Sequence, residues 1–186
     1  MDLQKKQTIN IYTDGACSGN QFENNSGGWG AILEYGDHSK EIYGGELNTT
    51  NNRMELTALI KGLSALTKKN YDLRVFSDSS YLIDCFRKRW YEKWLVNGWM
   101  TSDKKPVENK DLWEILLKFL PEYEFRFYLI KGHINKGARE ETLRKSYKRF
   151  IMHNGDGFSF EEFIEISDRN RRADELANLG VSEARA

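Results

Sequence analysis

Cysteine is almost absent. Cys17 and Cys85 fall in different elements and show no metal-ligand spacing. That argues against a disulfide framework or a thiolate metal site, and two free thiols in a reducing compartment are expected. Net charge is absent as well, with 28 basic residues against 28 acidic ones. The molecule as a whole has no electrostatic pull on a polyanion, so any nucleic-acid contact must rest on local clusters. No run approaches the roughly 18 apolar residues of a membrane span, and "MDLQKKQTIN" has no apolar signal core. A cytoplasmic protein without membrane contact is expected. Internal repeats and low-complexity stretches are missing too. What remains is a chain with 39% apolar and 30% charged residues, long enough at 186 residues for one sizeable core and a single domain across 1–186.

A regular succession of elements is present. Alternation through Ile9, Ile11 and Thr13 reads as a strand that runs into Asp14 and Gly15, then into the polar "SGNQFENNSGG". Asp-Gly is a common turn pair, so Asp14 is either a turn residue or a carboxylate aimed at whatever lies beyond the strand. "WGAILEY" and "KEIYGGEL" read as a hairpin around "GDHS". Leu56, Leu59, Ile60, Leu63 and Leu66 repeat at helical spacing after a run of Thr and Asn cap candidates. "YDLRVFSD" is a strand that again ends on an aspartate. "SYLIDCFRKRWYEKWLVNGW" reads as one basic, aromatic helix and "NKDLWEILLKFL" as an amphipathic one stopped near Pro121. "YEFRFYLI" is a last strand leading into "KGH", and "NRRADELANLG" a final helix capped by Gly180. Strands first in a meander and then alternating with helices suggest a mixed sheet with helices on both faces. A crossover through the Glu55 helix makes the "NIYTD" and "RVFSD" strands parallel. If they are neighbours, Asp14 and Asp78 emerge side by side, where open sheets bind ligands.

Two more acids join them. Glu55 lies on the apolar stripe of its helix, and Asp174 opens "DELA", where an acid also suits a first helical turn. Converging carboxylates repel one another and raise each other's pKa values. A hard divalent cation relieves that repulsion, and a pair about 4 Å apart serves in-line phosphoryl displacement.

"YTDGACSGN", "GGWGAIL", "TTNNRMEL", "SDSSYL", "NGWMTSDKKPVENKDLW", "KGH" and "NRRADELA" together resemble the type 1 ribonuclease H family, in the family's order and over most of the chain. The resemblance implies an α/β fold, a five-stranded mixed sheet in the order 3-2-1-4-5. It implies a metal-dependent endonuclease that cuts the RNA strand of RNA–DNA hybrids, leaving 5′-phosphate and 3′-hydroxyl ends. It implies two Mg²⁺ ions, with Mn²⁺ as a substitute, held by Asp14, Glu55, Asp78 and Asp174, with Asp14 bridging. His133 matches a loop histidine that handles protons or aids product release. Gly15, Asn20, Thr50, Asn51 and Asn52 match positions that contact the hybrid. Asn51 and Asn52 read equally as helix caps. Gly15 is expected to leave room for the RNA backbone. A monomer is expected.

From Arg87 to Lys105 the chain holds six basic residues against Glu92 and Asp103, with Trp90, Trp94 and Trp99 between them. This stretch resembles the basic handle of some family members, and Lys88, Arg89, Trp90, Lys104 and Lys105 are expected on the substrate, while Trp94 suits inward packing. One departure from the family is clear. His133 and Asp174 are separated by an insertion, about 135–168, basic in its first half and acidic in its second. Its apolar residues and the Ser159–Glu162 capping-box pattern suggest a helical hairpin, either decorative or beside the active-site mouth. Two other functions fit parts of the pattern. A silent hybrid binder is opposed by the full set of acids. An integrase, transposase or junction resolvase is opposed by "TTNNRMEL" together with "DKKPVENKDLW".

Overall fold

Period-two alternation sorts the central strands onto two faces. In β1 (Thr8–Ser18), Ile9 and Ile11 enter one hydrophobic cluster and Tyr12 enters the other. In β4 (Asp72–Ser77), Leu73 and Val75 face the first side and Phe76 the second. A computed structural model describes residues 7–18, 25–131, 134 and 137–186. It contains one sheet in the order β3-β2-β1-β4-β5, with β2 (Ser26–Tyr35), β3 (His38–Leu47) and β5 (Glu124–Leu129) completing it. β1–β2 and β2–β3 are antiparallel, and β1–β4 and β4–β5 are parallel. The mixed sheet implied by the resemblance is therefore present.

On the first face lie α1 (Asn51–Ser64), α2 (Ser80–Arg87) and α4 (Lys110–Leu117). They bury Leu56, Leu59, Leu63, Leu82, Phe86 and Trp113 against Ile11 and Val75. On the second face lie α5 (Glu140–Asn154) and α6 (Phe160–Arg185), which fold back on each other and bury Phe150, Phe158, Phe163 and Leu176 against Tyr12, Ile32 and Phe76.

Three boundaries differ from the sequence pattern. The expected helix over 80–99 is broken at Lys88 and Arg89. Arg89 takes φ 53°, and the chain restarts as α3 (Trp90–Val96). The break turns Trp94 onto Trp113, with ring centres 5.5 Å apart, and onto Trp99 at 6.1 Å. Gly180 does not cap the last helix. That helix runs on to Arg185, and Gly180 sits against the Gly44 backbone. The helix carrying Asp174 also begins earlier, at Phe160, where Ser159 and Glu162 form a reciprocal capping box.

The end of α5 is fastened to the sheet edge. Asn154 accepts from the Leu129 N–H (2.9 Å) and donates to the Leu129 carbonyl (2.8 Å), as a neighbouring strand would. Arg87 then donates to the carbonyls of Phe127 and His153 and to Asn154 Oδ1. An edge strand with open hydrogen-bonding groups is a liability, and this side chain closes part of it.

Candidate active site

Parallel pairing of β1 with β4 stops at Thr13 and Ser77. The next residues, Asp14 and Asp78, therefore leave the paired region together. β1 itself does not end there. Asp14 pairs with Gly30 and Gly15 with Trp29 across to β2, so Asp14 is a strand residue and the Asp-Gly turn is excluded. Gly15 faces α1. A Cβ at Gly15 would stand 2.4 Å from the Glu55 nitrogen and 2.7 Å from the Met54 carbonyl carbon. On its side-chain side the space at Gly15 is thus filled by the helix rather than left for a ligand, although its main chain still borders the cleft. That close approach delivers Glu55 to Asp14.

The start of α1 is held by several polar contacts. Thr50 is the N-cap, and its hydroxyl accepts from the Arg53 N–H (3.3 Å). Asn51 does not cap. It donates to Glu55 Oε1 (3.3 Å) and so orients that carboxylate. Asn52 lines the cleft beside it. Asn25 is a positioning residue that the sequence pattern does not reveal. Its buried amide bonds Thr49 through both its atoms, at 2.7 and 2.9 Å, and fixes the approach to the helix. On the other side, Arg53 forks onto Asp111 at 3.0 and 2.8 Å, joining α1 to α4.

Asp174 arrives from the opposite layer, several turns inside α6, where Asn178 donates to its Oδ1 (3.1 Å). Asp14, Gly15, Asn51, Asn52, Glu55, Asp78, Ser79, Ser80, Tyr81 and Asp174 line one open cleft of about 400 Å³. Ser79 to Tyr81 belong to the start of α2, where Ser79 is the N-cap. All four expected carboxylates therefore meet.

Their electrostatics are those of an acid cluster. Asp14 and Glu55 are 4% and 3% exposed, and Asp14 Oδ2 and Glu55 Oε2 have no hydrogen-bond partner. The Asp14 carboxyl is pushed up to about 8, by burial first and then by Asp78 and Asp174, against the opposing Gly15 N–H at 2.7 Å. Burial, then Asp14 and Asp78, hold Glu55 well above the usual carboxylate range. One oxygen each from Asp14, Glu55 and Asp78 lie within 4.8 Å of one another. Buried, orphaned carboxylate oxygens at that spacing fit a hard divalent cation.

His133 and Asn20 lie outside the described residues. The expected handle residues stand apart from this cleft. Lys88 pairs with Asp84 at 3.0 Å and reaches over the Trp90 ring, and Arg89 pairs with Glu92. Trp90 is half-buried against the first core cluster. Lys104 and Lys105 are exposed on a tight loop closed by Thr101 and Lys105.

The family model for RNase H matches residues 6–143. The chain belongs to the ribonuclease H family. A ribonuclease H of Syntrophomonas wolfei is 50% identical over 125 residues, 67% of this chain and 84% of the relative. That of Acetivibrio thermocellus is 50% identical over 148 residues, 75% of this chain and 98% of the relative. Among solved structures, LC9-RNase H1, described as a type 1 RNase H with the type 2 active-site motif, superposes with a TM-score of 0.62 at 23% identity, covering 90% of this chain and 86% of that one. LC11-RNase H1, solved with an RNA/DNA hybrid, gives 0.55 at 19%, covering 96% and 99%. At such identities the likeness shows the ribonuclease H fold alone. The family match stops before Asp174, so in this ribonuclease H the fourth carboxylate is placed by the structure rather than by that match. Among the described residues no helix is long and apolar enough to cross a membrane.

Proposed function

We propose that this ribonuclease H is an endonuclease that hydrolyses the RNA strand of RNA–DNA hybrids, with divalent cations, to 5′-phosphate and 3′-hydroxyl ends. The observation that carries this is the pair of buried, unpartnered oxygens, Asp14 Oδ2 and Glu55 Oε2, facing one cleft with Asp78 and Asp174. Two Mg²⁺ ions, or Mn²⁺ in their place, supply the neutralising charge and the activated water that in-line phosphoryl displacement needs. Asp14 lies in one cleft with Glu55, Asp78 and Asp174 and would be the carboxylate shared by both ions. Glu55 and Asp78 would hold one ion, and Asp174 would complete the other. Asn51 orients Glu55, and Asn178 orients Asp174.

Asn51 and Asn52 stand exposed at the cleft, with Gly15 main chain lining it too, and Thr50 is exposed just before them as the N-cap of α1. Their amides and hydroxyl suit a sugar 2′-OH and phosphate, the groups that separate RNA from DNA. Asn20 joins them in this reading. His133 handles protons near the leaving group, a role that suits imidazole at neutral pH. Lys88, Arg89, Trp90, Lys104 and Lys105 grip the hybrid away from the cut. The protein works as a cytoplasmic monomer.

The deciding assay offers labelled RNA–DNA, RNA–RNA and DNA–DNA duplexes with Mg²⁺ or Mn²⁺. Only the hybrid is cut, and only its RNA strand. Asp14→Asn abolishes cleavage and leaves hybrid binding within a few-fold of wild type. DNA–DNA cleavage, or more than a small fraction of turnover in Asp14→Asn, would sink the assignment.

A further inference from the structure

α6 lies nearer to the sheet than side chains permit. A Cβ on Gly28 would stand 2.0 Å from the Ala177 carbonyl oxygen, and one on Gly45 would stand 2.0 Å from that of Gly180. On Gly30 it would stand 2.5 Å from the Ala173 oxygen and 2.7 Å from Leu176 Cβ. None of these glycines has a positive φ, so space rather than backbone conformation demands glycine. Gly30 is the cross-strand partner of Asp14, and such partners share a face of the sheet. The helix carbonyl resting on Gly30 is that of Ala173, and the next residue is Asp174. The same spot holds an independent sign of a ligand: Asp14 Oδ2, in a side chain more than nine-tenths buried, has no partner and faces the cleft that Asp174 lines. Asp174 is not among the three carboxylates that crowd within 4.8 Å. Its reach depends on where α6 rests.

We propose that Gly30 is a positioning residue for the cleavage reaction. Its bare Cα sets the height of α6 above the sheet, and through it the distance from Asp174 to the ion shared with Asp14. The inference rests on the two-ion reading above. Asp14, Glu55 and Asp78 sit on β1, α1 and the end of β4. Gly30 meets this set as the strand partner of Asp14, whereas the three atoms nearest to a Cβ at Gly30 all belong to α6. Ordinary contact begins at 3.4 Å, so a methyl group at position 30 must raise the helix by roughly the difference from 2.5 Å. A misplacement near 1 Å can cost about 10²-fold in rate.

The test uses the whole protein. Gly30→Ala, still folded by thermal melt, loses about 10²-fold in kcat at saturating Mg²⁺, with hybrid Kd in EDTA within twofold of wild type. In calorimetric titration with Mn²⁺ it keeps the tighter binding event and loses the weaker one. Gly45→Ala raises the same helix near its far end and keeps kcat within threefold. Asp174→Glu alone loses at least tenfold, because a seated helix cannot retreat to make room for the extra methylene. Combined with Gly30→Ala it recovers at least tenfold over Gly30→Ala alone. The seat is overturned if folded Gly30→Ala turns over as wild type, if Gly45→Ala matches its loss, or if the double variant recovers nothing. Should Gly30→Ala not fold, Asp174→Glu decides alone, and turnover within twofold of wild type overturns the seat. A wild-type protein that binds one Mn²⁺ and leaves hybrid uncut overturns the two-ion reading itself.

Discussion

Asp14 is buried, beside two other acids, and still has an oxygen with nothing to bond. Without a cation, the cheapest relief is a proton. Its folded-state value near 8 lies above the unfolded value near 4, so the folded state holds that proton more tightly. The stabilisation is full below the unfolded value and is lost as pH rises through the folded one. Glu55 shifts in the same direction and adds to the trend. In EDTA, stability is therefore expected to fall between about pH 4 and pH 8, by up to about 1.4 kcal/mol per pH unit for each such group. For a protein of this size that lowers Tm by about 2–4 °C per kcal/mol. Mn²⁺ competes with the proton, so its apparent affinity rises over the same window and each binding event releases protons. Melts at pH 6 and 8.5, with and without Mn²⁺, check both signs. A Tm in EDTA that climbs with pH in this range contradicts the coupled cluster. Three of the acids stand out in the sequence, because Asp14 and Asp78 come at the end of apolar runs and Glu55 lies on an apolar stripe. Asp174 reads equally as a first-turn acid and is singled out by the family resemblance. The roles of Gly15 and Asn51 are not legible there, because each depends on how near α1 lies to β1, and no spacing within a single element reports that distance.

Among elements, the handle is where local reading and structure part most. "RKRWYEKW" contains no helix breaker, and its propensity favours one continuous helix. Tertiary packing wins instead. Trp94 must reach Trp113 in the first core, and the chain bends at Arg89 to send it there. The last helix departs from local reading as well. "NRRADELANLG" reads as a separate helix opened by Asp174, yet neither Gly nor Pro occurs from Phe160 to Leu179, and a single helix runs from the capping box at Ser159 through Asp174. Inward packing of the tryptophans does not remove the charge outside. Lys88 and Arg89 are engaged by Asp84 and Glu92, whereas Lys104 and Lys105 stand exposed at a loop tip. A cation already paired gives less to a phosphate than one that is not. Lys104→Gln with Lys105→Gln is expected to raise KM several-fold with little change in kcat, and to make log Kd against log salt shallower by about one for each lost contact. Lys88→Gln with Arg89→Gln is expected to change the slope less. Equal slopes for both pairs and for wild type would place the handle away from phosphate.

At the scale of the whole molecule, the insertion carries part of the core. Phe150 and Phe158 are buried against Phe76, Phe163 and each other, with Phe150 and Phe158 ring centres 5.1 Å apart. The second face of β4 and β5 is therefore covered by α5 and the first turns of α6. The hydrophobic pattern of the insertion indicates packing, and the sheet it packs on is set by the topology. Among the described residues its charges do not pair across the two helices as a basic half facing an acidic half would. Arg144 and Lys145 pair within α5, with Glu140 and Glu141, and Arg171 pairs within α6. Such exposed pairs are worth little, about 0–1 kcal/mol each. The phenylalanines are worth more, and replacing one by alanine in a core costs about 3–5 kcal/mol. That is a large share of the roughly 5–15 kcal/mol that holds a typical domain together. Replacing the whole insertion with a short loop would strip this face, so a loss of hybrid binding in such a variant would report unfolding as readily as a lost substrate contact. Point changes separate the two. Phe150→Ala is expected to lower Tm by about 6–20 °C while kcat per folded molecule, measured well below the transition, stays within twofold. Lys148→Gln with Arg149→Gln, both exposed, leaves Tm within about 2 °C. Any fall in hybrid affinity at low salt in that second variant then belongs to the substrate and not to the core. A Phe150→Ala protein that melts with wild type would show that α5 rides on the sheet without supporting it, and the Asn154 and Arg87 contacts at its end would be its whole attachment.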